Sequence, residues 1–186
     1  MEIGSRERFG VSLELSADHG GPWLFGRLCY WIGGAQVGRY DESTSLRDVL
    51  ISMEDIPLSP GKRIDKELFE NPKDIAYYRI DTAIYGFAAA VVNPIEIAKY
   101  VLKPIDKPER FVVGPEVDVF DDFKIFLVEW QDQSRFLYKR IDVLSSPVEF
   151  CVGRAEFDDS CGRDTVNIEE LARRSERILS REISSQ

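Results

Sequence analysis

The segment "GRLCYWIGGAQVGRY", residues 26 to 40, decides how the first part of the chain folds. An apolar run from Leu28 to Ile32 ends on Gly33-Gly34. Two adjacent glycines can both take a positive φ without a Cβ clash, so they favour a two-residue turn between antiparallel strands. The segment therefore predicts a core β-hairpin. The predicted cross-strand pairs are Ile32 with Ala35, Tyr30 with Val37, and Cys29 with Gly38.

Further strands are indicated by apolar residues that recur at every second position. "RFGVSLELS", residues 8 to 16, alternates in this way and predicts a half-buried strand. The strand before the glycines is apolar on both faces, which favours a sheet covered on both sides. One of these faces carries Leu24, Leu28, Tyr30 and Ile32, and the other carries Trp23, Phe25, Cys29 and Trp31.

A second hairpin is predicted between residues 123 and 140. "FKIFLVEW" and "RFLYKR" flank the polar "QDQS", which we interpret as a four-residue loop that places Val128 opposite Leu137 and Leu127 opposite Tyr138. "VEFCVGRAEF", residues 148 to 157, is a further strand candidate. The core is predicted at Phe9, Val11, Leu13, Leu28, Tyr30, Ile32, Ile125, Leu127 and Val128.

Helices are predicted where apolar residues recur every three to four positions. The candidates are residues 45–53 capped by Ser45, a helix opened by Asn71-Pro72 toward Tyr85, a helix after Asn93-Pro94, and a C-terminal amphipathic helix from Asn167, which resembles a capping box with Glu170. The fold class is therefore α+β, with a mostly antiparallel sheet and flanking helices. We expect one domain over residues 1–186.

The bulk composition limits the environment and the partners. The net charge is −9, from 24 Lys and Arg against 33 Asp and Glu. Such a field repels phosphate backbones, so we expect no nucleic acid and a basic partner instead. The start, "MEIGSRERFG", lacks the apolar segment of a secretory signal, and there is no apolar run of membrane-spanning length. We therefore expect a cytoplasmic protein without a membrane partner.

The sequence contains none of the constellations that carry common enzymatic chemistry. His19 is the sole histidine, and the cysteines (Cys29, Cys151 and Cys161) lack metal-ligand spacing, so we expect no metal and no cofactor. Neither a dinucleotide-binding nor a phosphate-binding glycine motif is present. The prediction is a protein that is not an enzyme. A small-ligand-binding or enzymatic α+β domain, with its pocket beside the aromatic hairpin, stays open as the alternative.

The acidic residues are concentrated between Phe111 and Gly162, where eleven acids face five bases and give −6 of the total charge. This surplus is either a solubilising surface or an electrostatic face for a cationic partner. For the second case, the candidate contacts are Asp118, Asp121, Asp122, Asp158 and Asp159, interpreted as turn residues, around an exposed Phe120 or Phe157.

Four stretches follow one another along the chain: "EIGSRERFGVSLEL", "WLFGRLCYWIGGAQVG", "SLRDVLISM" and "DVFDDFKIFLVEWQDQSRFLYK". In their residues and their order, they resemble the immunity protein 42 family of bacterial polymorphic toxin systems. The resemblance covers most of the chain and is loose over residues 57–110. These motifs are structural, and the family supplies no catalytic or toxin-contact residues at these positions.

The resemblance implies a small bacterial cytoplasmic protein encoded beside a toxin. It would bind and neutralise that toxin, and so protect the producing cell. The seven candidate contacts above would then bind the toxin. The alternatives that remain are the ligand-binding or enzymatic domain and a structural homo-oligomer, with the oligomeric state open.

Overall fold

The strands form two antiparallel sheets, each within its own compact unit. The computed structural model describes residues 1–53, 61–86, 104–142 and 145–162, together with Val166, Ile168 and Glu170. The first unit holds the described residues of 1–58, 115–121 and 155–186. The second holds those of 59–114 and 122–154. The α+β class is confirmed, and the expectation of a single cooperative domain stays a prediction.

The first unit is built around a sheet of order β1-β2-β3-β4, with β5 paired to β3. Its strands are β1 (Glu2–Gly4), β2 (Phe9–Leu15), β3 (Phe25–Ile32), β4 (Ala35–Val37) and β5 (Thr44–Ser45). Helix α1 (Leu46–Met53) follows β5 directly. The hydroxyl of Ser45 accepts a hydrogen bond from the N–H of Asp48 at 3.2 Å, which confirms the predicted cap.

The Gly-Gly hairpin is confirmed in its turn and its register. Gly33 and Gly34 have φ values of 59° and 84°, and the pairs Tyr30–Val37 and Ile32–Ala35 form as predicted. The pair of Cys29 with Gly38 does not form, because β4 ends at Val37.

Gly38 instead makes room for a ring from a distant part of the sequence. Its φ is 105°, and a Cβ built there would lie 3.0 Å from the ring of Phe120. An L residue is disfavoured at this φ, and its side chain would also press on that ring. The hairpin therefore packs against the segment around residue 120.

The expectation that both faces of β3 are covered is wrong for part of one face. Leu28, Tyr30 and Ile32 are at most 1% exposed. On the other side, Phe25 and the preceding Trp23 are 40% and 49% exposed. Trp23 belongs to a 3-10 turn, Gly21–Trp23, that precedes the strand.

The second unit packs helices on a three-stranded sheet of order β6-β7-β8. Its elements are α2 (Lys66–Glu70), α3 (Lys73–Tyr85), β6 (Phe123–Trp130), β7 (Gln133–Arg140) and β8 (Val148–Gly153). Its core cluster combines side chains of both helices, of the sheet and of the 3-10 turn Pro108–Phe111: Leu68, Ala76, Tyr77, Ile80, Phe111, Phe126, Val128 and Leu137.

The predicted register of the second hairpin is wrong by two residues. Val128 pairs with Arg135, and Phe126 pairs with Leu137. The loop contains two residues rather than four, because Gln131 adopts a positive φ of 53° and the ladder continues to the pair Trp130–Gln133. A shift of two keeps every side chain on its predicted face, because side chains alternate with period two.

Helix ends depart from the prediction at two places. Pro72 is the N-cap of α3, and Asn71 ends α2 instead of capping α3. β8 ends at Gly153, and residues 154–162 are helical, so the predicted strand through residue 157 is too long. The C-terminal helix is confirmed. Its helical residues begin at residue 154, well before Asn167, the predicted cap.

Asn167 itself and residues 87–103, which contain the predicted Asn93-Pro94 helix, lie outside the described residues.

All nine predicted core residues are buried, at 2% exposure or less. Six of them lie in the first unit, and Ile125, Leu127 and Val128 lie in the second. Within the described residues, no helix combines the length and the apolar character needed to cross a membrane.

Candidate functional site

The five candidate aspartates differ in exposure and in local structure. Asp118 and Asp121 are exposed at the two ends of the 3-10 turn Asp118–Phe120. Asp159 is exposed and Asp158 is half-buried, and both are helical rather than in a turn, which corrects that expectation. Asp122 is half-buried, with Nη2 of Arg140 at 4.0 Å from its carboxylate. Asp122 belongs to the second unit, and the other four belong to the first.

Asp118 has a structural role that the sequence does not reveal. Its Oδ1 accepts hydrogen bonds from the buried Thr44 hydroxyl at 2.7 Å and from the N–H of Val119 at 2.9 Å. Its carbonyl accepts a hydrogen bond from Nη2 of Arg39 at 2.7 Å. Replacing Asp118 would leave the Thr44 hydroxyl without this acceptor, so Asp118 holds the turn against β5.

The expectation that Phe120 and Phe157 are exposed is wrong. They are 3% and 0% exposed. The ring of Phe120 lies 5.0 Å from that of Tyr30, and the ring of Phe157 lies 5.0 Å from that of Phe9. Aromatic pairs at these centroid distances are typical of cores. Both side chains therefore belong to the core of the first unit.

A buried ionic cluster in the second unit is not among the features predicted from the sequence. Glu129 is 0% exposed and Arg63 is 1% exposed. Nε of Arg63 donates to Oε1 of Glu129 at 3.1 Å, and Nε of Arg154 lies 3.4 Å from Oε2. The signal available in the sequence is that Glu129 follows Ile125 and Leu127 at the strand period, so it must share their buried face.

This cluster is unsuited to acid–base catalysis. A general acid or base must reach the proton that it transfers, directly or through one water. Glu129 is inaccessible, and each of its oxygens lies close to a guanidinium group. The arrangement is that of a structural ion pair.

The thiols of Cys29 and Cys151 are poorly suited to nucleophilic chemistry. Burial raises the pKa of the Cys29 thiol to about 11. Cys151 lies on β8 and is exposed, and partial burial of its thiol still raises the pKa. Since the thiolate is the reactive form, both groups are largely protonated near neutral pH.

We expect the purified protein to carry no stoichiometric metal. The part of the chain that the structure describes contains no group of three or more His, Cys, Asp or Glu side chains arranged to hold an ion. Elemental analysis after purification without added metal should find zinc and iron well below one atom per chain. A stoichiometric ion would contradict this expectation.

The chain was compared with protein-family models, with curated proteins and with solved structures. A family model described as immunity protein 42 matches residues 1–162. A search of the curated proteins finds no match. Among solved structures, the chain is similar to CdiI from Burkholderia dolosa AUO158, with 20% sequence identity and a TM-score of 0.65. That match covers 90% of this chain and 99% of the other, and it shows a shared fold.

Proposed function

Because the chain belongs to the immunity protein 42 family, we propose that it binds and neutralises a cognate bacterial toxin in the cytoplasm of the cell that produces both. The observation that carries this proposal is the family match over residues 1–162. Family membership suggests a non-enzymatic role, so the protein would act by covering the toxin rather than by modifying it.

The test is coexpression with the toxin from the neighbouring reading frame. We expect the pair to copurify in a fixed ratio and the host to grow, whereas the toxin alone should stop growth. Toxicity that persists in the presence of folded immunity protein, together with the absence of a complex, would refute the proposal.

We further propose that the toxin is basic and that the exposed aspartates speed its association. Asp121 and Asp159 support this role best, because both are exposed and neither carries the structural bonds of Asp118. Complementary charge raises association rates by steering the diffusional encounter, and this attraction weakens as salt is added. Asp122 and Asp158 are half-buried and would contribute less.

Reversing Asp121 and Asp159 to Lys should slow association with the toxin at low salt by about ten-fold or more, because steering is lost. It should also flatten the salt dependence of the rate. Stopped-flow measurements at two salt concentrations provide the check.

The matched control reverses Glu7 and Asp106, which are also exposed. Both double variants have a net charge of 26 − 31 = −5. We expect the control to associate nearly as fast as the wild type. Equal slowing of the two variants would assign the effect to net charge, and unchanged rates in both would make the aspartates a solubilising surface only.

A further inference from the structure

Three large apolar side chains of the first unit are exposed, and two of them, Trp23 and Phe25, are close neighbours. Trp23 is 49% exposed, Phe25 is 40% exposed and Ile51 is 63% exposed. A Cβ built on Gly20 would lie 2.7 Å from the Phe25 ring and 3.8 Å from the Cβ of Trp23. Both aromatic residues therefore lie next to Gly20. Grouped apolar side chains at a surface are a mark of interaction sites.

Ile51, the third exposed side chain, lies on helix α1, which contacts Trp23 through Arg47. The guanidinium carbon of Arg47 lies 4.1 Å from the centroid of the Trp23 ring. Ile51 is four residues after Arg47, so both lie on the same side of the helix. We call Trp23, Phe25, Arg47 and Ile51 the aromatic patch. Trp and Arg are the residue types enriched among the side chains that dominate binding energy at protein interfaces.

The backbone that presents the patch is fixed. Leu24, between the two aromatic residues, has φ 53° and ψ 51°, a left-handed conformation rare for a bulky residue. It is held by burial of its side chain to 1% exposure and by its carbonyl, which accepts a hydrogen bond from the N–H of Leu46 at 3.1 Å. Strained residues persist where their surroundings hold them, and they cluster at functional sites.

Two hydrogen bonds hold the backbone of Trp23 and Phe25. The Ser45 hydroxyl donates to the carbonyl of Trp23 at 3.1 Å. The N–H of Phe25 donates to the carbonyl of His19 at 2.8 Å. A partner would thus meet side chains that are already positioned, which lowers the entropic cost of binding.

Acidic residues lie near the aromatic patch on two sides, and the positive charge of Arg47 within it is paired with Asp48 at 3.5 Å. Asp18 is exposed in the loop that leads to Trp23. On the other side, β5 connects the patch to the 3-10 turn Asp118–Phe120, because the Ser45 hydroxyl bonds to Trp23 and the Thr44 hydroxyl bonds to Asp118. The partner that fits has an apolar pocket for the aromatic rings and Lys or Arg side chains at its rim.

We infer that the aromatic patch is the anchor that holds the cognate toxin, and that the toxin presents an apolar pocket rimmed by basic side chains. This inference rests on the proposed function. It assigns affinity to the patch, whereas the exposed aspartates affect mainly the association rate.

The test compares Trp23→Ala with Tyr85→Ala as matched control. Both are aromatic residues exposed by nearly half, and a cation lies about 4 Å from each ring: Arg47 at 4.1 Å and Lys124 at 4.0 Å. Trp23→Ala should weaken the complex by about 30-fold or more through a faster dissociation rate, the usual effect of losing a hot-spot residue. Tyr85→Ala should bind within about two-fold of the wild type, as expected outside the binding centre.

A second variant protects the test against a folding defect. Ile51 is 63% exposed, so Ile51→Arg should leave the thermal midpoint of unfolding unchanged while opposing a basic partner. We expect at least about ten-fold weaker binding for this variant. Wild-type affinity in both patch variants, or equal losses in Tyr85→Ala, would overturn the anchor. Failure of the wild type itself to bind the toxin would instead refute the proposed function.

Discussion

Replacing Glu129 by Ala is expected to lower the free energy of unfolding by about 3–5 kcal/mol, the usual cost of breaking a buried ion pair. Arg63 would remain, with 1% of its surface exposed and its partner carboxylate removed. The cost arises mainly because the Arg63 guanidinium stays buried after it loses the Glu129 carboxylate, which lies 3.1 Å from its Nε, whereas an intact buried pair adds little net stability. The side chain of Arg154 is 37% exposed and can turn to solvent, so it should add less to the loss.

Chemical denaturation of the variant and the wild type measures this loss. Glu70→Ala is the matched control, because Glu70 pairs with Lys66 at 3.8 Å and both side chains are about 60% exposed. The control should cost less than about 1 kcal/mol, as exposed ion pairs do. If the two variants were equally stable, the buried pair would be energetically equivalent to a surface pair, and the explanation would be wrong.

The second large effect concerns one core ring in each unit. Phe9 and Phe126 are both 0% exposed, the first in the first unit and the second in the other. Truncating either to Ala should cost about 3–5 kcal/mol, from lost burial and from the cavity left behind. If the chain is one cooperative domain, each change should lower the midpoint of one common transition.

The measurement follows unfolding by calorimetry and by tryptophan fluorescence. Val148→Ala serves as control, since that side chain is 45% exposed and should change stability by less than about 0.5 kcal/mol. Two resolved transitions, each shifted by only one of the two truncations, would replace the single domain by two independently folding units.

Local sequence patterns predict the core side chains of β2 and the turn of the first hairpin, although Ser12, expected on the solvent face of β2, is also buried. Alternation places Phe9, Val11 and Leu13 inside, and Gly33-Gly34 fixes the register, because the glycines specify a two-residue turn. The second hairpin lacks this signal. Its turn depends on a positive φ at Gln131, which the residue type does not favour, so the register was predicted two positions away.

Features set by distant residues are beyond such patterns. The acids around Phe120 favour a place at the surface, yet its ring packs beside Gly38 and is buried. The apolar run that begins at Trp23 favours a buried side chain, yet Trp23 precedes the strand and is about half exposed. The partner of Glu129 is 66 residues away in sequence, and no local pattern identifies it.

The interleaving of the two units along the chain has a consequence for synthesis on the ribosome. Phe9 packs on Phe157, and Arg8 pairs with Glu156 at 2.8 Å, so β2 acquires these neighbours only after residue 157 has been translated. Arg154, which lies 3.4 Å from Glu129, is also translated late. Shorter nascent chains would leave apolar strands uncovered, and they would depend on chaperones until translation passes this point. We therefore expect protection of the producing cell to begin only after residue 157 has been translated.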